Sequence, residues 1–187
     1  MKRGKLVVIS GPSGVGKGTI CKKVVARCPD VALSISVTTR AKRGREVDGR
    51  HYFFRTDEQF DELIASDGLL EWAEYNGRRY GTPRREVEEA IAAGKTVILE
   101  IEVEGGMQVK EKHSETVMMF IAPPSMVELR RRLVRRGTET REQIARRLKR
   151  AEYEAKIAES YDYVVVNDRL HRAVNEVIKI IKEEQTC

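Results

Sequence analysis

An apolar run, Leu6-Val7-Val8-Ile9, passes directly into Ser10-Gly11-Pro12-Ser13-Gly14-Val15-Gly16-Lys17-Gly18-Thr19. No other stretch restricts the fold so tightly. A short apolar run followed at once by three glycines within six residues reads as a buried strand entering a sharp turn. Ile20, Val24 and Val25 then share one face, and Pro29 stops the pattern, so a helix is predicted over 17–27. Gly11, Gly16 and Lys17 fit the spacing G-x-x-x-x-G-K. In that arrangement the backbone curls around an oxyanion, and the positive end of the helix faces a phosphate chain. Lys17 adds a full charge at its far end. The template continues with a Ser or Thr that reaches Mg²⁺; here Gly18 stands in its place and Thr19 follows one residue later.

The rest of the chain alternates apolar strands with helices. Strands are predicted over 31–37, 51–55, 69–75, 78–80, 95–102, 116–122 and 161–166. Thr56–Gln59, Ser125–Glu128 and Thr140–Gln143 have capping-box spacing and open three helices, running to 65, about 136 and about 159. Thr82-Pro83 reads as a cap with proline at the first helical position, for a helix running to Ala93. A short helix is expected after Gly105-Gly106, and a last amphipathic one over 173–182. Asn76-Gly77 is the strongest hairpin signal. The pattern predicts an α/β fold: a parallel sheet with helices on both faces. Residues 36–82 form a small mixed insertion. Ligands gather at the carboxyl ends of such strands, so Gly11, Arg40, Glu100 and Asn167 are expected in one crevice.

The 187 residues suffice for one domain with a real core. A net charge of +6 and a pI near 9.3 suit either nucleic acid or a site for several phosphates. Cys21, Cys28 and Cys187 lack the paired spacing of a zinc site and read as reduced thiols. Met1-Lys-Arg-Gly4 opens like a signal peptide, but the apolar run behind it is too short, and no segment approaches a membrane span. A cytoplasmic protein is expected.

Arginine decides between the two readings of the charge. One group is Arg40, Arg43 and Arg45; the other runs from Arg130 to Arg150 across Gly137. Arg132 and Arg136 are four apart and share a helix face. Guanidinium forks match phosphate oxygens, and two such groups beside a phosphate loop suggest two phosphate-bearing ligands meeting end to end. A phosphoryl group passing between them carries charge that arginines stabilise. Separately, the carboxylate of Glu71, beside the hairpin, matches the paired donors of guanine, which adenine lacks. Ser36, Tyr52, Tyr80 and Thr82 are candidate partners around it. Glu100 and Glu102, at the end of a buried strand, lie where a metal ligand is expected.

Ile9-Ser-Gly-Pro-Ser-Gly-Val-Gly-Lys-Gly-Thr19, Ser36-Val-Thr-Thr-Arg40, Gly44 to Phe54, Glu71-Trp-Ala-Glu-Tyr75, Tyr80-Gly-Thr-Pro83, Phe120 to Ser125 and Arg135-Arg-Gly-Thr-Glu-Thr140 closely resemble guanylate kinases. The blocks follow in the family's order along nearly the whole chain. The resemblance implies MgATP-dependent phosphorylation of GMP, and of dGMP, with GDP and ADP as products. It implies a core (1–35, 83–124, 160–187), a GMP-binding insertion (36–82) and a lid (about 125–159). By matching position, Ser36, Glu71 and Thr82 hold guanine, and Arg40, Arg43, Tyr52 and Tyr80 hold the GMP phosphate. Glu102 also belongs to the GMP site. Gly11, Pro12, Ser13, Gly14, Val15, Gly16, Lys17, Gly18 and Thr19 hold the ATP phosphates, with Asn167 near the adenine. Lys17, Arg132, Arg136 and Arg147 act on the transferring group.

Two departures stand out. With Gly18 in the loop, Thr19 or water must replace the usual hydroxyl on Mg²⁺, and Glu100 is a second candidate ligand, through water. In Glu100-Ile-Glu102-Val-Glu104 the family commonly has aspartate at the second acid and glutamine at the third. Three rival readings differ in what they predict: a kinase of another monophosphate, an inactive protein-binding module of the same fold, and a nucleic-acid binder. No partner beyond ATP and GMP is implied, neither nucleic acid nor membrane, and the residues leave the oligomeric state open.

Overall fold

The computed structural model describes residues 4–75, 77–137 and 139–186, the side chain of Arg136 excepted. The expected parallel sheet is present. Its order is β2 (Val31–Leu33), β7 (Thr96–Glu100), β1 (Leu6–Ser10), β8 (Val117–Ala122) and β9 (Tyr163–Val166), all parallel. Alternate side chains of β1 enter opposite layers. Val7 and Ile9 join Ile98, Met119, Ile121 and Val165 beneath helices α1 (Lys17–Arg27) and α7 (Leu170–Thr186). Leu6 and Val8 join Leu99, Met118 and Phe120 beneath α3 (Arg84–Ala92) and α4 (Val103–Lys112). Burial on both faces explains why β1, β7 and β8 are apolar throughout rather than alternating, whereas the edge strand β9 exposes Val164 and Val166. Each such side chain stabilises the fold by about 1.5–3 kcal/mol.

A second sheet, β4 (Phe53–Phe54), β3 (Val37–Thr38), β6 (Arg78–Pro83) and β5 (Leu69–Tyr75), carries α2 (Asp57–Ala65) and its own small core of Val37, Phe60 and Leu69. Helices α5 (Met126–Arg136) and α6 (Arg141–Ile157) form a third unit around Leu129, Leu133, Ile144 and Ala151.

Four expectations need correcting. The strand foreseen over 31–37 is two strands in different sheets, parted at 34–36. Thr82-Pro83 ends β6 instead of opening α3, so Pro83 is the cap and Thr82 faces β5. Helix α4 begins before Gly105-Gly106 and contains both, because Val103 and Val109 bury one of its faces. The Ser125 hydroxyl does cap α5 by accepting from the Glu128 N–H, but the Glu128 carboxylate turns to Arg131 and Arg132 instead of completing the box. The boxes at Thr56–Gln59 and Thr140–Gln143 are complete. In the hairpin Tyr75 pairs with Arg78, and Asn76 lies outside the described residues, as does Cys187.

Candidate active site

The loop between β1 and α1 is fixed from behind. Gly16 adopts φ +106°, a region that costs any residue with a Cβ, and caps α1. A Cβ there would stand 2.8 Å from the amide nitrogen of Asn167. That amide, just past β9, donates to the Val15 carbonyl at 2.7 Å. Arg132 donates to the backbone carbonyl of Asn167 at 2.8 Å and to that of Val15 at 3.3 Å, while Glu128 holds its Nε at 2.9 Å. Asn167 and Arg132 therefore brace the loop's shape, and both line a cavity with Gly14, Gly16, Thr19 and Asp168. The Lys17 ammonium folds over the loop and donates to the Gly11 carbonyl.

A second cavity, about 280 Å³, lies between the two sheets. Ser36, Tyr52, Glu71, Tyr80, Glu100 and Glu102 line it, so six of the residues singled out from the sequence meet there. Glu71 is 5% exposed. Burial pushes its carboxyl above the ordinary range, against hydrogen bonds from Thr82 and the charge of Lys112. The Thr82 hydroxyl donates to Glu71 Oε1 at 2.6 Å, and cross-strand pairing of β5 with β6 places the two side by side. The rings of Tyr52 and Tyr80 meet edge to face at 6.1 Å. Arg40 lies over Tyr52 at 5.2 Å, with both Nη atoms on Glu46 at 2.8 and 3.0 Å. Arg43 is exposed; its backbone N–H donates to the same Glu46 carboxylate at 2.8 Å.

Glu100 closes β7 beside the helix that follows the loop. A Cβ on Gly18 would stand 3.2 and 3.3 Å from the two Glu100 oxygens. The missing side chain at 18 is thus filled by a carboxylate from the neighbouring strand. Burial raises the Glu100 carboxyl, and Lys17 and Lys22 oppose it. Thr19 is exposed and faces the cavity behind the loop, so the two metal candidates lie in different cavities. Among the described residues no group of three His, Cys, Asp or Glu is arranged to hold a metal ion.

The α5–α6 unit reaches across. Arg147 donates to the Ser13 hydroxyl of the loop at 2.7 Å and pairs with Glu139 at 2.8 Å. A third cavity, lined by Ser13, Glu102, Glu104, Arg146, Arg147 and Glu154, separates this unit from the sheets. Arg136 ends α5, and its side chain lies outside the described residues. One further participant was foreseen only as a member of the arginine group, and one was not foreseen. Arg150 bonds both Glu104 of α4 and Glu154 of its own helix, the latter at 2.9 Å. Glu154 is 1% exposed, and burial pushes its carboxyl up to about 7, with Glu102 adding to the rise and Arg150 and Lys17 opposing it. The i,i+4 spacing of Arg150 and Glu154 was visible in the sequence, but burial of the acid was not. Gly105, against Glu71 in the cavity, gave no sequence signal beyond glycine itself.

Among the described residues, no helix is long and apolar enough to cross a membrane. The guanylate kinase family model matches residues 3–184. A guanylate kinase of Desulfitobacterium hafniense is 50% identical over 182 residues, covering 97% of this chain and 91% of that protein. A guanylate kinase of Synechocystis is 50% identical over 183 residues, covering 98% and 96% respectively. The crystal structure of guanylate kinase from Anaplasma phagocytophilum superposes with a TM-score of 0.81 at 34% identity, covering 100% of this chain and 88% of that one. This chain belongs to the guanylate kinase family.

Proposed function

We propose that this chain transfers the γ-phosphoryl group of ATP to GMP, and to dGMP, giving ADP and GDP. The observation that carries this reading is the buried carboxylate of Glu71, held at one oxygen by Thr82, in a cavity that shares Glu102 with the space beside Ser13 and Arg147. Two acceptor oxygens match the N1–H and exocyclic amine of guanine, and burial makes an unmatched base costly. We assign base contact to Ser36, Glu71 and Thr82, and the acceptor phosphate to Arg40, Arg43, Tyr52 and Tyr80, with Glu102 beside them. Arg40 is already oriented by Glu46 and flanked by an aromatic face.

On the donor side, Gly11 to Thr19 cradle the ATP phosphates, and Asn167 holds the loop in shape for them. We assign the transferring group to Lys17, Arg132, Arg136 and Arg147. Arg147, already on the Ser13 hydroxyl, needs only a small shift to exchange that hydroxyl for a phosphate oxygen. No base is required, because the acceptor phosphate is already ionised; the residues position two anions and neutralise their charge. Residues 125–159 form a lid that excludes water from the transfer, 36–82 the acceptor-binding insertion, and the remainder the core.

The cleft suits Mg²⁺ brought as MgATP. Mg²⁺ is usually held by one or two carboxylates with substrate phosphates and water, and the Glu100 carboxylate beside Gly18 supplies such oxygens. Held there, Mg²⁺ would supply positive charge against the ATP phosphates. Thr19 is the alternative ligand. The net charge of +6 serves the two nucleotides rather than nucleic acid, and the buried free thiols Cys21 and Cys28 fit a cytoplasmic enzyme. Calorimetric titration separates GMP from other acceptors directly. GMP is expected to bind at least ~10²-fold more tightly than AMP, the value of two matched hydrogen bonds to a buried charge. Equal affinities contradict the guanine assignment.

A further inference from the structure

Gly105 sits in the third helical position of α4, where alanine would favour the helix by about 1 kcal/mol. Its backbone does not need a glycine, since it is not among the residues with positive φ. The reason lies across the cleft. A Cβ on Gly105 would stand 2.6 Å from Glu71 Oε2 and 3.2 Å from its carboxyl carbon. Glu71 cannot simply swing aside, because Thr82 holds Oε1 at 2.6 Å and the side chain is buried. The helix cannot easily tilt away either. On the same side of α4, Gln108 donates to the Trp72 carbonyl at 3.3 Å and Lys112 to the Leu70 carbonyl at 3.4 Å, so the helix is tied to the strand that bears Glu71. Gly105 and Glu71 line the same cavity.

We propose that Gly105 is a specificity-determining position for the acceptor base: by carrying no side chain it leaves the space in which the Glu71 carboxylate lies with Oε2 available to guanine. This rests on the GMP reading above. Gly105 acts through Glu71 and is a positioning residue. A methyl group at 105 displaces Oε2, the second of the two acceptors. The ligand most affected is therefore one that presents two donors. IMP, which keeps N1–H but lacks the exocyclic amine, serves as the one-donor comparison.

The test is steady-state kinetics of wild type and Gly105→Ala with GMP and IMP at saturating MgATP. For the variant, KM for GMP is expected to rise about tenfold or more, with kcat and KM for ATP within a few-fold, and the GMP-over-IMP preference to shrink in proportion. A merely structural role would move all parameters together. The paired variant Gly105→Ala with Glu71→Asp withdraws the carboxylate by one methylene and is expected to recover part of the GMP-over-IMP preference relative to Gly105→Ala alone. If Gly105→Ala is too unstable to assay, recovery of folded, GMP-preferring enzyme in the paired variant supports the proposal. An unchanged KM and preference in Gly105→Ala overturns it, and so does a paired variant with no recovery. Failure of the wild type to use GMP would instead strike the underlying reading.

Discussion

Asn167 donates its side-chain amide to the Val15 carbonyl at 2.7 Å, and the same amide nitrogen occupies the space that a Cβ on Gly16 would need. The phosphate loop is therefore shaped by a residue far along the chain, at the end of the sheet's edge strand. Asn167→Ala leaves the Val15 carbonyl with only the longer bond from Arg132 at 3.3 Å, at a cost of about 0.5–1.5 kcal/mol. KM for ATP is expected to rise about tenfold with KM for GMP nearly unchanged. Steady-state kinetics with each nucleotide varied in turn checks this. Equal effects on both would show that Asn167 supports the fold rather than the loop.

In the proposed reading Glu71 must be ionised to accept from guanine, and burial raises its carboxyl above the ordinary range. It consequently takes up a proton at a higher pH than an exposed glutamate. GMP affinity should fall as pH drops through that raised value, while AMP affinity does not follow. Guanine donors favour the ionised form, so GMP binding on the acid side releases a proton. Titrations in buffers of different ionisation enthalpy measure that release. Glu71→Gln should weaken GMP by about 10²-fold and remove the proton release.

The strands around β1 and the loop itself were legible because apolar runs and glycine spacing are local signals. So were the two complete capping boxes. Three features were not, and each has a tertiary cause. Thr82 has the local chemistry of a helix cap, but its hydroxyl is used on Glu71 across the hairpin. Gly105-Gly106 reads as a break, yet both glycines lie inside a helix that packing holds in place. Asn167 was singled out in the sequence, but the bond from its amide to the Val15 carbonyl, which braces the loop, joins positions far apart in the chain. The site's composition was visible in the sequence; which residues hold which was decided by burial.

Glu154 gives the stability of the protein a second pH dependence. Burial is the main cause of its rise from an ordinary 4.5 to about 7. The folded state thus holds this proton more tightly than the unfolded state does. Stability from this group is fully present below about 4.5 and is lost as pH rises towards about 7. Glu154→Gln keeps the neutral shape and should flatten that slope. Urea unfolding midpoints across the interval check it; an unchanged slope in the variant contradicts the assignment.

The two metal candidates separate experimentally. Glu100 lies against Gly18 and lines the acceptor cavity, whereas Thr19 faces the cavity behind the loop. Glu100→Gln is expected to raise the Mg²⁺ concentration needed for half-maximal activity several-fold, and to weaken the Mg²⁺-dependent part of ATP binding measured by calorimetry. Thr19→Ala should do so less. The reverse order would return the ion to the loop hydroxyl.

The central claim is that one cleft joins ATP to GMP. A coupled assay of ADP release with ATP and Mg²⁺, run with GMP, dGMP, AMP, CMP and UMP in parallel, tests it most directly. Rapid ADP production with GMP, slower production with dGMP and little with the other three is the predicted result. No GMP-dependent ADP production, or equal rates with AMP and GMP, would contradict the account.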